Sequence, residues 1–122
     1  MKYSTSKYVL FMNDDAFIPR ANALGLRGLV ALLEAHPEVG MIGPTSNCVM
    51  GWQNIWAQAD FGDVFKVPFL IGFCLLVRRE ALDVIGGIDV SFHTGDDLDL
   101  SIRMKKGGYD LLVDKNSFVF HH

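Results

Sequence analysis

Three carboxylates, Asp96, Asp97 and Asp99, stand close together in the stretch GDDLDLSIRMKKGGY. Thr94 and Asp97 have the spacing of a capping box, so we expect a helix that starts near Gly95 and carries these acids at its N-terminus. The helix macrodipole favours each such acid by about 0.3–1 kcal/mol, which accounts for one or two of them. Because Asp96 and Asp97 repel each other, chemistry at a proton, a hydroxyl or a metal is as strong an interpretation as capping.

A second polar group, Asn13-Asp14-Asp15, directly follows the apolar run Tyr8–Met12. An apolar run without alternation predicts a strand that is covered on both faces, as in a sheet with helices on either side. Ligands gather at the carboxyl ends of the strands in such sheets. Asn and Asp also form ordinary polar turns. Considered together with the acids of the helix, their oxygens favour a divalent-cation site.

The rest of the chain predicts the elements that must position these two groups. Apolar residues at helical spacing, hydrophobic runs and glycine or proline boundaries mark them. The predicted elements are a helix from Pro19 to His36, a short strand over 39–44, a buried strand over 69–77, a short helix over 78–85, the helix that carries the acids, and two short strands over 110–113 and 117–120.

Two pairs of apolar residues predict how the acid-bearing helix packs. Leu98 with Ile102 and Leu100 with Met104 are each four residues apart, and together they predict a broad apolar face. Gly107-Gly108 supplies a left-handed stop. The helix should therefore make about three turns.

The stretch 45–66 has no hydrophobic period and mixes polar with aromatic residues. Loops of this length inside a domain are usually functional or mobile. We expect Phe61 and Phe65 to cover the core. For Trp52 and Trp56 both stacking on a sugar ring and covering the core stay open.

Composition bounds the remaining possibilities. A chain of 122 residues forms one domain with a real core, and its 50% hydrophobic content suggests apolar surface beyond that core. The formal charge of -3 gives no basic footprint for nucleic acid. The longest apolar run, Val67–Val77, is too short to span a bilayer, and no signal peptide is visible. Cys48 and Cys74 lack a CxxC spacing, which indicates a reducing compartment and hence the cytoplasm.

Five stretches, in order, resemble the family 2 glycosyltransferases of the GT-A fold. They are YVLFMNDD, LLEAHPEVGMIGP, FLIGFCLLVRREALDVIGGID, GDDLDLSIRMKKGGY and FVFHH. Their order and spacing along nearly the whole chain are more specific than any one of them. The resemblance implies an α/β fold with a mixed, mainly parallel sheet flanked by helices, equivalent to the C-terminal half of the catalytic domain.

The resemblance also assigns residues of the donor and metal sites. Asn13 and Asp15 match the two ends of a DxD-like motif at the donor diphosphate, with Asp14 between them. Asp15 and His121 match ligands of Mg²⁺ or Mn²⁺. His122 is an alternative to His121, because the two differ only in the strand face they occupy.

The catalytic base and the acceptor side are assigned in the same way. Asp97 matches the general base, and Asp96 and Gly72 match positions beside the acceptor hydroxyl. Asp89 matches a structural or acceptor-side acid, and Trp52 is placed with the acceptor-binding residues.

The implied reaction is metal-dependent, inverting transfer of a sugar from a nucleoside-diphosphate donor to a hydroxyl of a saccharide or lipid-linked acceptor. Such a transfer needs a carboxylate to take the acceptor proton and a cation to stabilise the leaving diphosphate. Family members open with a strand–helix–strand unit that binds the nucleoside, and no equivalent of it occurs here. We therefore expect the longer parent to be the enzyme, in the cytoplasm or at the inner face of the membrane.

Two other functions stay open. A non-catalytic remnant that binds sugar or oligomerises would bind nucleotide sugar without turnover, or would not bind it at all. A metal-dependent nucleotidyltransferase or phosphotransferase is less favoured, because the sequence has no Gly-rich phosphate loop or Walker lysine. In the fold that the chain resembles, Tyr8–Met12 lies inside the sheet beside strands that this chain lacks, so one of its edges should be unpaired, which predicts a homodimer.

Overall fold

The computed structural model describes residues 5–19, 25–47, 49, 51–54, 62–88 and 96–121. Their elements, in chain order, are β1 (Tyr8–Met12), β2 (Ala16–Phe17), α1 (Gly25–Ala35), β3 (Val39–Thr45), β4 (Val64–Lys66), β5 (Cys74–Arg78), α2 (Arg79–Val84), α3 (Asp96–Lys106), β6 (Asp110–Phe118) and β7 (Phe120–His121). A single 3₁₀ turn, Gly51–Gln53, stands between β3 and β4.

Five strands form a sheet in the order β1-β5-β3-β6-β4, and β2 pairs with β7 in a second, two-stranded sheet. The prediction of a mixed α/β fold is confirmed. Among the described pairs, β3 with β6 is parallel and the other pairs are antiparallel. β5 runs between β1 and β3 in the opposite direction to both. It follows that β1, β3 and β6 all end at one edge of the sheet, which we call the carboxyl edge.

The core lies on both faces of the five-stranded sheet. All seven residues of β3 are buried. Successive side chains of a strand point to opposite faces of the sheet, so β3 contributes to the core on both faces. One face packs against α2 and α3 through a cluster that includes Met41, Val77, Leu82, Leu100, Met104 and Leu111. The other packs against α1 through Leu29, Leu33, Val39, Ile42, Leu76 and Leu112. The helices therefore cover the sheet on both sides, as predicted.

Two predicted boundaries need correction. The described part of α1 is Gly25–Ala35, and its predicted start at Pro19 stays a prediction because residues 20–24 lie outside the described residues. The strand predicted over 69–77 begins only at Cys74, because the preceding backbone N–H groups donate to side chains instead of to a strand. The two short strands predicted over 110–113 and 117–120 are wrong: β6 is continuous, and β7 follows it.

An irregularity in β6 explains that last error. Pro44 pairs with Asp114, but the next residue of β3 pairs with Phe118. The buried carboxylate of Asp114 accepts hydrogen bonds from the Asn116 N–H at 3.0 Å and the Ser117 hydroxyl at 2.8 Å. These bonds hold the extra residues in place, so the polar stretch that looks like a break is a bulge inside one strand.

The helix α3 packs through a narrower stripe than its sequence predicts. Leu100 and Met104 are buried, but Leu98 and Ile102 are 49% and 45% exposed. The broad apolar face is therefore wrong, because α3 contacts the sheet along one side only. Its predicted end is confirmed, since Gly108 follows it with φ of +90°. Thr94 and Gly95, where its N-cap was predicted, lie outside the described residues.

Cys74 is a buried thiol in β5, and burial raises its pKa to about 12. A thiol with so high a pKa stays protonated and unreactive at neutral pH. Cys48 lies outside the described residues.

A buried arginine ties β5 to the turn between α1 and β3. The guanidinium of Arg78 donates to the carbonyl oxygens of Val39 at 2.9 Å and His36 at 3.1 Å, and also to that of Leu33. The last carbonyls of a helix have no partners within it. Arg78 therefore supplies donors that the end of α1 lacks, while its charge faces the ring of Tyr8 at 5.7 Å.

We expect Arg78→Met to lower the free energy of unfolding by roughly 2–4 kcal/mol, because it leaves buried carbonyls without donors. The free energy of unfolding of Arg78→Lys should lie between those of the wild type and Arg78→Met, since one ammonium group cannot reach all three oxygens with the same geometry. Urea unfolding followed by circular dichroism measures both. The control is Lys7→Met, which removes an exposed ion pair with Glu34 and should change stability little. Equal loss in Arg78→Met and Lys7→Met would contradict the role of Arg78.

Candidate functional site

The first predicted group lies at the carboxyl edge, directly after β1. The N–H of Asn13 donates to the carbonyl oxygen of Phe73 at 2.9 Å, which continues the pairing of β1 with the chain that enters β5. The N–H of Ala16 then donates to the carbonyl of Asn13 at 3.2 Å. This bond closes a tight turn that carries Asp14 and Asp15, both exposed.

The turn brings Asp15 to the end of the chain. β2 leaves the turn and pairs with β7, so that Ala16 stands opposite His121. His121 Nε2 lies 3.2 Å from Asp15 Oδ1 and 3.4 Å from Asn13 Nδ2. We call these three residues the Asp15–His121 group. They converge although 108 positions separate Asn13 from His121.

The surrounding chain fixes His121 on two sides. Its backbone N–H donates to Asn47 Oδ1 at 3.1 Å, and its imidazole packs against the ring of Phe73 with centroids 5.6 Å apart. The imidazole is only 20% exposed, whereas the carboxylate of Asp15 is 45% exposed. His121 is thus held by the fold, and Asp15 approaches it from the solvent side.

The second predicted group forms where α3 meets the chain before β5. The N–H of Gly72 donates to Asp97 Oδ2 at 2.9 Å, and the N–H of Leu98 donates to Asp97 Oδ1 at 2.9 Å. A Cβ atom on Gly72 would lie 3.2 Å from the Cβ of Asp97, so the absence of a side chain permits the close approach. Each carboxylate oxygen of Asp97 therefore has one fixed donor.

A small cavity of about 60 Å³ opens beside this carboxylate. Its lining residues are Phe11, Gly72, Leu75, Ile88, Asp96, Asp97 and Leu100. The structure thus brings together Gly72, Asp96 and Asp97, which we call the Asp97 group. The cavity is large enough for a hydroxyl group or a water molecule, whose share of liquid volume is about 30 Å³.

Three consecutive N–H groups before β5 donate to side chains from other parts of the chain. Leu70 donates to Ser101 Oγ at 3.1 Å and Ile71 to Gln53 Oε1 at 2.6 Å, while Gly72 donates to Asp97 as described. Sequence reasoning missed Gln53 and Ser101. Ser101 could have been found, since it lies four residues after Asp97 on the same side of a helix. Gln53 stands in a stretch without a period and gave no signal.

The two groups lie side by side. Gly72 contacts Asp97, and its neighbour Phe73 contacts both Asn13 and His121. Consecutive Cα atoms are about 3.8 Å apart, so the same short piece of chain holds both groups at the carboxyl edge.

Asp99 is the predicted acid that the structure places elsewhere. Its carboxylate pairs with Arg103 at 2.9 Å, one turn further along α3. Arg103 also donates to the carbonyl oxygens of Ile85 and Gly87, which follow α2. Asp99 therefore helps join α2 to α3 and lies outside the Asp97 group.

The other assigned residues are placed less fully. Trp52 lies on the 3₁₀ turn beside Gln53 and is 36% exposed. It is not among the described residues that line the 60 Å³ cavity, and its role at the acceptor stays a prediction. Asp89, Trp56 and His122 lie outside the described residues.

A larger cavity of about 410 Å³ lies at the opposite end of the sheet. Its lining residues precede β1 or belong to the junction of β5 with α2: Thr5, Ser6, Lys7, Arg78, Arg79, Glu80, Asp83 and Val84. Neither predicted group borders it. Cavity size alone therefore does not locate the site in this chain.

A sequence profile described as Glycosyl transferase family group 2 matches residues 8–121. The chain belongs to this family. The resemblance inferred from the motifs is thereby confirmed. The match runs from the first residue of β1 to the last residue of β7, so that both groups lie within it.

Curated relatives come from mycobacteria, among other bacteria. An uncharacterized protein of Mycobacterium tuberculosis is 37% identical over 105 residues, which cover 76% of this chain and 40% of that protein. The pre-mycofactocin glycosyltransferase of the same species is 25% identical, over 96% of this chain and 27% of the relative. The N-acetylglucosaminyl-diphospho-decaprenol L-rhamnosyltransferase of Mycobacterium tuberculosis is 40% identical over 57 residues, which cover 46% of this chain and 19% of that protein. The chain spans two fifths or less of the length of these relatives.

None of the helices in the described part of the chain has the length and apolar character that a membrane span requires. Nor do the described residues contain a cluster of three or more His, Cys, Asp or Glu side chains suited to a metal ion. Any ion at the Asp15–His121 group would therefore need ligands beyond these two side chains.

Proposed function

We propose that this chain forms part of a glycosyltransferase in which Asp97 takes the proton of the acceptor hydroxyl and the Asp15–His121 group lies at the donor diphosphate. Family membership supports sugar transfer as the reaction class. The observation that supports these roles most directly is that adjacent residues, Gly72 and Phe73, hold the two groups side by side. A transferase needs its base and its leaving-group site close together, on either side of the reacting carbon.

The proposed substrates are a nucleoside-diphosphate sugar and a saccharide or lipid-linked acceptor. The name of the rhamnosyltransferase relative includes a decaprenol-linked sugar, which is a lipid-linked group. The formal charge of -3 gives no reason to expect nucleic acid as a partner.

The hydrogen bonds of Asp97 suit a general base. An ionised carboxylate has about four lone-pair sites, and backbone N–H groups occupy two of them. The remaining sites can accept from an acceptor hydroxyl within about 2.6–3.2 Å. As the hydroxyl oxygen bonds to the anomeric carbon, its proton moves to Asp97, and the bond to the diphosphate breaks with its electron pair on the leaving oxygen. One base and one displacement give inversion.

The Asp15–His121 group fits a divalent cation that is shared with the substrate. Asp15 Oδ1 and His121 Nε2 lie 3.2 Å apart, close to the separation of about 3 Å between neighbouring ligands of an octahedral ion at about 2.1 Å. Mg²⁺ is commonly bound by one or two carboxylates together with substrate phosphates. A cation at this position would neutralise charge on the leaving diphosphate. Asp15 and His121 would hold it, with Asn13 beside them.

In a full-length protein that contains this chain, Asp97→Asn should reduce turnover by at least about a hundredfold, because the amide cannot take a proton. Donor affinity should be retained. The matched control is Asp99→Asn on the same helix, which removes the ion pair with Arg103 and should leave turnover near wild type. Initial rates and donor titration measure the two quantities. Wild-type turnover in Asp97→Asn would contradict the assignment of Asp97 as the general base. Donor binding without any turnover in the unsubstituted protein would favour a sugar-binding remnant.

The chain itself should bind Mn²⁺ weakly, with a dissociation constant of about a millimolar, since it offers few ligands without the substrate. Asp15→Ala and His121→Ala should each weaken binding, because each removes one ligand. Asp14→Ala is the control, as it removes a neighbouring exposed carboxylate that was not assigned to the ion. Paramagnetic broadening of the amide resonances around Asn13 reports the binding site. Broadening that survives both substitutions, or is absent at millimolar Mn²⁺, contradicts the proposed metal site.

We also propose that the chain associates as a two-fold dimer through β1. β1 is the outer strand of the five-stranded sheet, and Leu10 at its centre is 39% exposed. An edge strand presents unpaired N–H and C=O groups that can pair with a second strand. Light scattering at micromolar concentration should give the mass of a dimer, and Leu10→Lys should shift it to the monomer. A monomeric unsubstituted chain would show that this edge is not used.

A further inference from the structure

The chain between β3 and β4 folds back on itself directly after β3. The N–H of Ser46 donates to the carbonyl oxygen of Gln53 at 2.8 Å, and Ser46 forms an isolated parallel bridge with Asn54. We call residues 46–54 the β3 loop, of which 48 and 50 lie outside the description. These backbone contacts join the two ends of the loop, which restricts the positions of the side chains on it.

The β3 loop contacts one group of the proposed site and the residue next to the other. Asn47 Oδ1 accepts a hydrogen bond from the N–H of His121, next to the proposed metal ligand side chain. Gln53 Oε1 accepts one from the N–H of Ile71, the residue before Gly72. One loop therefore reaches the Asp15–His121 group at one point and the residue beside the Asp97 group at another.

Gln53 is nearly fully buried, with 1% exposure, and both ends of its amide are used. Nε2 donates to the carbonyl oxygen of Pro44 at 3.1 Å, and Oε1 accepts from Ile71 at 2.6 Å. A Cβ atom on Gly43 would lie 2.4 Å from Nε2, so the glycine leaves the space that this amide occupies. The side chain thus connects the fully buried strand β3 with the chain beside Asp97.

Gly72 depends on its neighbours for its position. Glycine restricts its own backbone less than any other residue, yet the N–H of Gly72 must point at Asp97 Oδ2. The N–H groups of the two preceding residues are fixed by Ser101 and Gln53. Ser101 lies on α3 with Asp97, whereas Gln53 ties the same chain to the central strand of the sheet.

We propose that Gln53 is a positioning residue for Asp97, holding Ile71 and Gly72 where the N–H of Gly72 orients the carboxylate. This role rests on the proposed base role of Asp97. Gln53 touches neither the carboxylate nor a reacting atom and acts only through the backbone. The competing account is that Gln53 only fills a buried space and adds to global stability.

Amide hydrogen exchange on the 122-residue chain separates the two accounts. Gln53→Met keeps the length of the side chain but removes both hydrogen bonds. We expect the amides of Ile71 and Gly72 to exchange about tenfold faster, beyond any change at the core amides of Ile42 and Leu76, which report global unfolding. If all four amides change in step, Gln53 is only a structural residue and the proposal is overturned.

Asn47→Ala is the matched control, since it removes a hydrogen-bond acceptor from the same loop on the side of His121. It should leave the exchange of Gly72 unchanged relative to the core. An equal acceleration of Gly72 in Asn47→Ala would mean that loosening the β3 loop anywhere suffices, and would overturn the specific role of Gln53.

A measurement on the unsubstituted chain covers the case in which Gln53→Met does not fold. The amides of Ile71 and Gly72 should both be protected and should open with the same free energy, because one backbone connects them. An Ile71 amide that exchanges at the rate of an unstructured chain shows that Gln53 does not hold it, and overturns the proposal.

Kinetics in a full-length protein that contains this chain provide the functional readout. Gln53→Met should lower kcat about tenfold while leaving the donor KM unchanged, since the donor site is proposed at the Asp15–His121 group, which Gln53 does not contact. Unchanged kcat with a loosened Gly72 amide overturns the positioning role. If the unsubstituted protein transfers no sugar, the proposed function fails, yet the exchange experiment still tests whether Gln53 fixes Gly72.

Discussion

Backbone N–H groups that are buried or partly buried need acceptors, and this constraint organises the chain between Leu70 and Phe73. These residues lie against the sheet but before β5 begins, so for three of them a neighbouring strand does not supply the acceptor. Side chains from α3 and from the 3₁₀ turn supply it instead. As a result, the backbone here is irregular, but its hydrogen bonds fix it as firmly as those of a regular strand would. The absence of a side chain on Gly72 favours the close approach of Asp97, since a Cβ atom there would lie only 3.2 Å from the Cβ of Asp97.

The two groups at the carboxyl edge are supported differently. Asp97 sits on an eleven-residue helix whose buried side packs into the main core, and its carboxylate has two fixed donors. Asp15 lies on an exposed turn and meets His121 through two short strands. The bulge in β6 carries the chain from the main sheet to those strands, with the N–H of Val119 bonded to the carbonyl of Thr45 at 3.0 Å. A firmly held carboxylate at Asp97 beside a more exposed Asp15–His121 group is consistent with the roles proposed for them, since a leaving diphosphate would have to enter and leave.

Several buried polar side chains stabilise this apolar chain by hydrogen bonding to its backbone. Arg78, Asp114, Ser101 and Gln53 are all buried, and each bonds to backbone groups that regular structure leaves without partners. Buried polar groups stabilise a fold only when they are satisfied, and removing one partner leaves the other without compensation. The arrangement therefore specifies how the ends of α1, β3 and β5 are joined, which hydrophobic packing by itself would leave less defined.

The sequence by itself determined most of the local elements and the residue types that stand at the carboxyl edge. Hydrophobic runs and helical spacing predicted β1, α1, β3, α2 and α3, because these patterns follow directly from which side chains face the core. The motifs also pointed to the family, and the residues of both groups were named before the structure placed them. Only the tertiary structure decided where β5 begins, that β6 is continuous, that Leu98 and Ile102 are exposed, and that Gln53 supports the backbone beside Asp97. Each of these depends on a partner far away in the chain: the acceptor of Ile71 is 18 residues distant and that of Gly72 is 25. A local pattern records whether a side chain is apolar, but it carries no information about which distant group will stand opposite a given N–H.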